Sequence, residues 1–301
     1  MTFSIVARDE QTGQLGVAVQ THWFAVGAIC PWIEAGVGAV ATQSMVEISY
    51  GPKALDLLRE GKSPQEALDS LLAEDKDQGL RQVAVVDNSG NIAVHTGNRC
   101  IQAAGHSSGK AFSVQANMMK NDTVWPAMEK AYINAQGDLA SRMLAALFAA
   151  QDAGGDIRGK QSAAMLIAEG EKSDEPWRHV LVNLRVDDHP EPLQELERLF
   201  KINKAFDLMN EGDELLAKSL KEAAKEKYSQ AAYMAPYIEE MPFWQAVTLA
   251  DTGNIDEALP IFENVFRKNR DWAELVRRLP ASGLLKDDAE MMKRILTVLE
   301  G

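Results

Sequence analysis

Residues 1–8 read Met1-Thr2-Phe3-Ser4-Ile5-Val6-Ala7-Arg8. Phe3, Ile5 and Ala7 alternate with Ser4, Val6 and Arg8, a period of two that predicts a β-strand. A polar, glycine-containing loop covers residues 9–14. A second strand, Leu15-Gly16-Val17-Ala18-Val19-Gln20-Thr21, follows it. The two strands read as a hairpin, which ties the start of the chain into a sheet.

Within that hairpin Thr2 has a chemical option that its neighbours lack. A small residue after Met1 favours removal of Met1, which makes Thr2 the mature first residue. A terminal threonine carries a hydroxyl and a free amine on adjacent atoms. An unperturbed terminal amine titrates at about 7.7–8.0, so part of it is neutral near pH 7 and can accept the hydroxyl proton. Nucleophile and base then come from one residue. The plainer reading makes Thr2 an ordinary β-branched strand residue. Position by itself favours the plainer reading, since many chains begin this way.

Composition narrows the class. The chain has 301 residues, enough for two domains or one large domain with an appendage. Hydrophobic residues make up 46%, ample for a packed core. A net charge of −13 argues against nucleic acid or an anionic membrane as partner, since both need basic patches. Cys30 and Cys100 fit neither a disulfide framework nor a zinc pattern, so two reduced, largely buried thiols are expected. There is no signal-peptide pattern and no apolar run of spanning length, so a cytoplasmic protein is expected.

Downstream, residues 35–44 are almost all small. Glycine and alanine in strands allow close approach of a second layer. Gly51-Pro52 opens a helix that Gly61 closes, and Ser63-Pro64-Gln65-Glu66 forms a capping box for the next. Strands are expected at residues 81–86 and 91–95, around the turn Asp87-Asn88-Ser89-Gly90, and at residues 111–117. Helices follow at about residues 122–135 and 138–152, the second capped by Asp138. Strands at residues 161–168 and 179–186 complete the unit, with a charged loop at residues 171–175. Helices come in pairs between groups of strands, unlike the single alternation of a doubly wound sheet. The expected fold is therefore α+β, a four-layer αββα sandwich over residues 1–186.

Asp187-Asp188-His189-Pro190-Glu191-Pro192 reads as a linker. Residues 193–301 carry no strand signal. Phe243-Trp244 through Asp251-Thr252-Gly253-Asn254 into Ala258 and Phe262 resembles a tetratricopeptide repeat, with a degraded copy about 34 residues upstream. An all-α helical-repeat appendage is expected. It serves either packing and dimerisation or peptide binding.

Two candidate motifs carry no chemistry, and a third stays open. Gly105-His106-Ser107-Ser108-Gly109-Lys110-Ala111 is one residue short of a phosphate loop and lacks its Ser/Thr. His95, Cys100 and His106 match no metal-ligand pattern, and structural roles are expected. Gly154-Gly155-Asp156-Ile157-Arg158-Gly159-Lys160-Gln161-Ser162 is a glycine-rich turn dense in polar groups. It reads equally as an Asp–Arg pair fixing a loop or as a pocket lining.

Taken together, residues 2–8, Gly36-Val37-Gly38-Ala39-Val40-Ala41-Thr42-Gln43, His95-Thr96-Gly97 and the turn from Gly154 to Ala164 resemble a bacterial and archaeal family placed among the Ntn (N-terminal nucleophile) hydrolases. The resemblance covers about residues 1–186. It implies the αββα sandwich and cleavage of amide bonds, with Thr2 at the nucleophile position. Some relatives carry a peptidoglycan-binding appendage, which makes a cell-wall-derived amide one candidate substrate. This chain has helical repeats in that place. Proteasome-like members set a lysine near the nucleophile. The first lysine here is Lys53, within a predicted helix, so activation falls to the terminal amine. Asn117, Arg158 and Ser162 are the candidates for orienting substrate or stabilising an oxyanion.

The leading expectation is thus an amide hydrolase acting through Thr2 on a small amide or peptide, with neither a cofactor nor a metal. The alternative is a non-catalytic scaffold that binds a ligand or peptide, with a helical interaction tail. Either is compatible with a homo-oligomer.

Overall fold

The computed structural model describes residues 2–299. Two compact units emerge, Met1–Leu199 and Phe200–Gly301.

The first unit is α+β with two antiparallel sheets. β1 (Thr2–Arg8) and β2 (Leu15–Thr21) form the expected hairpin, with Thr2 opposite Thr21 and Arg8 opposite Leu15. They lie centrally in a six-stranded sheet. β3 (Pro31–Glu34) and β4 (Gly38–Ser44) belong to a four-stranded sheet with β5 (Arg81–Asp87) and β6 (Ile92–Thr96). β7 (Gly105–Gly109) and β8 (Phe112–Ala116) extend the larger sheet beside β1. β9 (Ser162–Ala168) and β10 (Val180–Val186) extend it beside β2.

β7 departs from the sequence reading. Gly105-His106-Ser107-Ser108-Gly109 is an edge strand paired with β8, whereas its sequence reads only as a failed phosphate loop. Glycine and serine carry little β-propensity, so pairing with β8 decides its conformation.

Alternation along the strands divides two cores. Val40, Val83 and Val85 pack with Leu55, Leu58 and Leu68, on α1 (Tyr50–Arg59) and α2 (Pro64–Glu74). Ala39, Ala41, Ala84 and Val86 face the other way, and with Val6, Val17 and Val19 they fill the space between the sheets. Four of the strand positions in that inter-sheet core, counting Ala164, are alanines, which is why the two sheets can approach closely. α3 (Val124–Asn134) packs on β7 and β8, and α4 (Leu139–Asp152) on β1, β2 and β9. At Gly16 a Cβ would stand 2.6 Å from Met143 Sδ of α4 and 2.9 Å from Ile167 Cδ1 of β9, so a larger residue there would have to push both side chains aside. The capping box at Ser63 and the cap at Asp138 are both formed.

The second unit is helical. α5 (Pro192–Ala217) begins at the last residue of the expected linker and runs across the boundary between units. Then come α6 (Lys221–Met234), α7 (Glu240–Asp251), α8 (Ile255–Lys268), α9 (Asp271–Arg278) and α10 (Ala289–Thr297). Phe243, Ala258 and Phe262, picked out by the repeat pattern, are fully buried in one core with Phe266 and Val276. Among the described residues, no helix is long and apolar enough to cross a membrane.

Candidate active site

Thr2 lies on the inter-sheet face of β1. Strand alternation puts Thr2, Ser4 and Val6 toward the four-stranded sheet and Phe3, Ile5 and Ala7 toward α4. Its backbone is fixed on both sides. Thr2 pairs with Thr21 of β2, its N–H donates to Asn117 O at 3.2 Å, and its carbonyl accepts from Asn117 N at 3.1 Å. The Thr2 hydroxyl donates to Thr21 Oγ1 at 3.1 Å.

Beneath it lies a buried amide network that the sequence reading missed. Gln43 Nε2 donates to Thr2 O at 3.1 Å and to Gln82 Oε1 at 2.7 Å. Asn117 Nδ2 donates to the same Gln82 oxygen at 2.8 Å and reaches Thr2 O at 3.5 Å. Gln82 Nε2 is held by Thr96 Oγ1 at 2.9 Å and Ala116 O at 2.9 Å. Ser4 Oγ closes the network by donating to Gln43 Oε1 at 2.7 Å. Gln43, Gln82 and Asn117 are at most 2% exposed. Polar side chains buried this deeply cost stability unless their bonds are made, so the network fixes one arrangement around Thr2. The sequence offers little sign of it: Gln43 follows and Gln82 precedes a run of small and apolar strand residues, where a polar residue reads as an ordinary strand end.

Thr2 opens onto a cavity of about 330 Å³ that Thr21, Arg81 and Arg158 also line. Ser44 ends β4 in the left-handed region, with φ 73°, and turns Met45 and Val46 along the cavity wall. Val26 and Cys30 line its buried part. Burial pushes the Cys30 thiol up to about 12, so it is neutral.

The other sequence candidates fall around this cavity in different roles. Arg158 lines it. Its Nε and Nη2 bond Asp156 Oδ1 and Oδ2 at 3.1 and 2.8 Å. The Asp156 carboxylate is fully buried and also accepts from His22 N at 3.0 Å, joining the glycine-rich turn to the end of β2. Both readings of that turn therefore describe the same residues: the Asp–Arg pair fixes the loop, and Arg158 faces the cavity. Asn117 touches the Thr2 backbone from beneath. Ser162 Oγ donates to Trp23 O at 2.5 Å and accepts from Val26 N at 3.1 Å, so it braces the segment that forms one wall. Arg81 was not among the candidates. Its Nε bonds Asp75 Oδ2 at 2.7 Å and its Nη1 bonds Met45 O at 2.7 Å. The hydrogen bond from Arg81 holds the Asp75 carboxyl below its usual range.

Residues set aside in sequence have structural partners. His95 Nε2 lies 2.9 Å from Gln78 O, and His106 Nδ1 lies 2.9 Å from Thr96 Oγ1. Among the described residues no group of His, Cys, Asp and Glu could hold a metal ion. Cys30 is buried, whereas Cys100 is only partly so. Met1, and with it the expected processing, lies outside the described residues.

Comparison with known proteins follows from residues 2–196, which match the model of a family of unknown function, DUF1028. Protein SPO2555 of Silicibacter pomeroyi, described as a DUF1028 member, has a similar crystal structure. The two share 32% identity, with 66% of this chain and 88% of that one covered and a TM-score of 0.60. Anbu, an ancestral beta-subunit from Yersinia bercovieri, matches at 11% identity over 66% of this chain and 92% of its own, with a TM-score of 0.33. A likeness at that level decides neither fold nor chemistry. No curated protein matches the chain.

Proposed function

The chain belongs to the DUF1028 family, and from the site at Thr2 we propose that it is an amide hydrolase whose nucleophile is Thr2, freed by removal of Met1. The observation that carries this reading is the Thr2 side chain lining a cavity while its backbone is held from both sides. A hydroxyl on a rigid strand next to an empty volume can meet a carbonyl without reorganisation.

In the proposed reaction the Thr2 hydroxyl proton passes to the free amine of the same residue as Oγ1 attacks the amide carbonyl. The amine then protonates the leaving nitrogen, leaving an ester on Oγ1. Water attacks that ester and restores the hydroxyl. Arg158 and Asn117 orient the substrate or oxyanion directly or through the Thr2 backbone, and Ser162 acts through the wall it braces.

We read the stacking of a helix pair, a sheet, a second sheet and a helix pair as the αββα sandwich of Ntn hydrolases. Residues 1–186 would then form the catalytic domain and residues 187–192 a link. Residues 193–301 would form a tetratricopeptide-like element for packing or for a peptide partner. A small amide or peptide in the cytoplasm is the substrate in this scheme.

The test is turnover of a panel of amides by processed wild type and by Thr2→Ala. Turnover should vanish in the variant while its far-UV circular dichroism is unchanged. Turnover that survives the substitution would remove Thr2 from the chemistry.

A further inference from the structure

We propose that the cavity beside Thr2 receives an uncharged, apolar side chain on the acyl side of the scissile amide. This rests on the reading of Thr2 as nucleophile and adds a substrate class to it.

Trp23, Val26, Ile29, Cys30, Met45 and Val46 make the apolar part of the cavity wall, and Thr42, Gln43 and Ser44 join Thr2 and Thr21 in its uncharged polar part. Val26 and Cys30 are buried and make the floor. Trp23 and Met45 are 58% and 50% exposed and make the lip. Large apolar side chains held in solvent at the mouth of an apolar cavity gain most when another apolar group covers them.

The charges point the same way. Arg81 and Arg158 are the cationic groups that reach the cavity, and each is engaged by a carboxylate, Asp75 and Asp156 respectively. An ammonium entering here would meet two guanidiniums and no carboxylate of the lining. A carboxylate would have to draw an arginine from its existing ion pair. The Cys30 thiol on the floor is neutral. A charged group taken into such a space loses water without a ready partner.

The size suits a compact occupant, with room for one large side chain. At about 330 Å³ the volume is at the small end for ligand pockets, which run from roughly 300 to 1,000 Å³. The assignment to the acyl side follows from the reaction order. The acyl group stays bonded to Oγ1 while water arrives, so it needs a closed floor, whereas the amine side must leave.

β-Lactones test this without requiring turnover. Thr2 Oγ1 bonds to the lactone carbonyl carbon, the ring acyl C–O bond breaks, and the ring oxygen takes the proton. The protein therefore gains the whole probe mass. Processed protein is treated with β-propiolactones bearing hydrogen, isobutyl, benzyl, carboxyethyl or aminobutyl at the carbon next to the carbonyl. Mass spectrometry of the N-terminal peptide follows the rate. Isobutyl and benzyl should acylate Thr2 at least about tenfold faster than carboxyethyl or aminobutyl. Ile29→Asp should lower the isobutyl-to-aminobutyl ratio by a similar factor. If Thr2 is acylated but a charged probe matches or outruns isobutyl, the apolar assignment falls and the nucleophile stands. If no probe, including the unsubstituted one, acylates Thr2, both fall.

Discussion

The Thr2 carbonyl and hydroxyl are held by separate partners, the first by Gln43 and Asn117, the second by Thr21. Gln82 holds both amide side chains beneath that carbonyl. Gln82→Leu should therefore leave two buried N–H groups short of an acceptor, at about 1–3 kcal/mol for each group left unsatisfied. Denaturant unfolding should show that loss, and acylation of Thr2 should slow with it. Unchanged stability would mean that water or a rearranged Gln43 satisfies the network. Asp75 offers a pH test. Its pKa is lowered chiefly by the hydrogen bond from Arg81. The contribution is therefore complete above the ordinary carboxylate pKa and is lost as pH falls through the lowered folded value. Asp75→Asn should be less stable than wild type near neutrality, and the gap should close in acid. A gap independent of pH would assign the loss to packing. In sequence Thr2 stood out because a terminal threonine has a recognisable chemistry. Gln43, Gln82 and Arg81 did not, because a buried glutamine is marked only by what it meets across the sheets.

Most of the elements could be read from local pattern. The hairpin of β1 and β2 follows from period-two alternation around a glycine loop, and α2 from a complete capping box. β7 could not, since Gly105-His106-Ser107-Ser108-Gly109 has no apolar alternation and is a strand only because β8 offers an edge. Small residues did indicate close layers, but not which layers. Ala39 and Ala41 of β4 serve the contact between sheets, whereas Gly16 of β2 serves the contact with α4. Gly16→Val should therefore force Met143 and Ile167 from their positions and destabilise the first unit by about 1–3 kcal/mol. Thermal unfolding of the variant checks this. An unaltered melting temperature would show that α4 can give way without cost.

At the scale of the whole molecule, the chain divides inside α5 rather than at the proline-rich stretch before it. Prolines mark where a helix begins, and Pro192 does start α5. Where two cores separate is decided by contacts that local sequence does not display. Phe262, fully buried in the helical unit, tests how far the units are independent. Phe262→Ala should cost that unit about 3–5 kcal/mol. Acylation of Thr2 should be unaffected below the new transition, and a parallel loss at Thr2 would show the units to be coupled. The proposed chemistry belongs to the first unit alone: a mature Thr2 whose amine and hydroxyl act together. Its most direct measurement is the mass of the N-terminal peptide from protein made in a cell with normal processing, before and after treatment with unsubstituted β-propiolactone. The expected result is a peptide starting at Thr2 that gains one probe mass on its hydroxyl, with no such gain in Thr2→Ala. Retained Met1, or a Thr2 hydroxyl that stays unmodified, would contradict it.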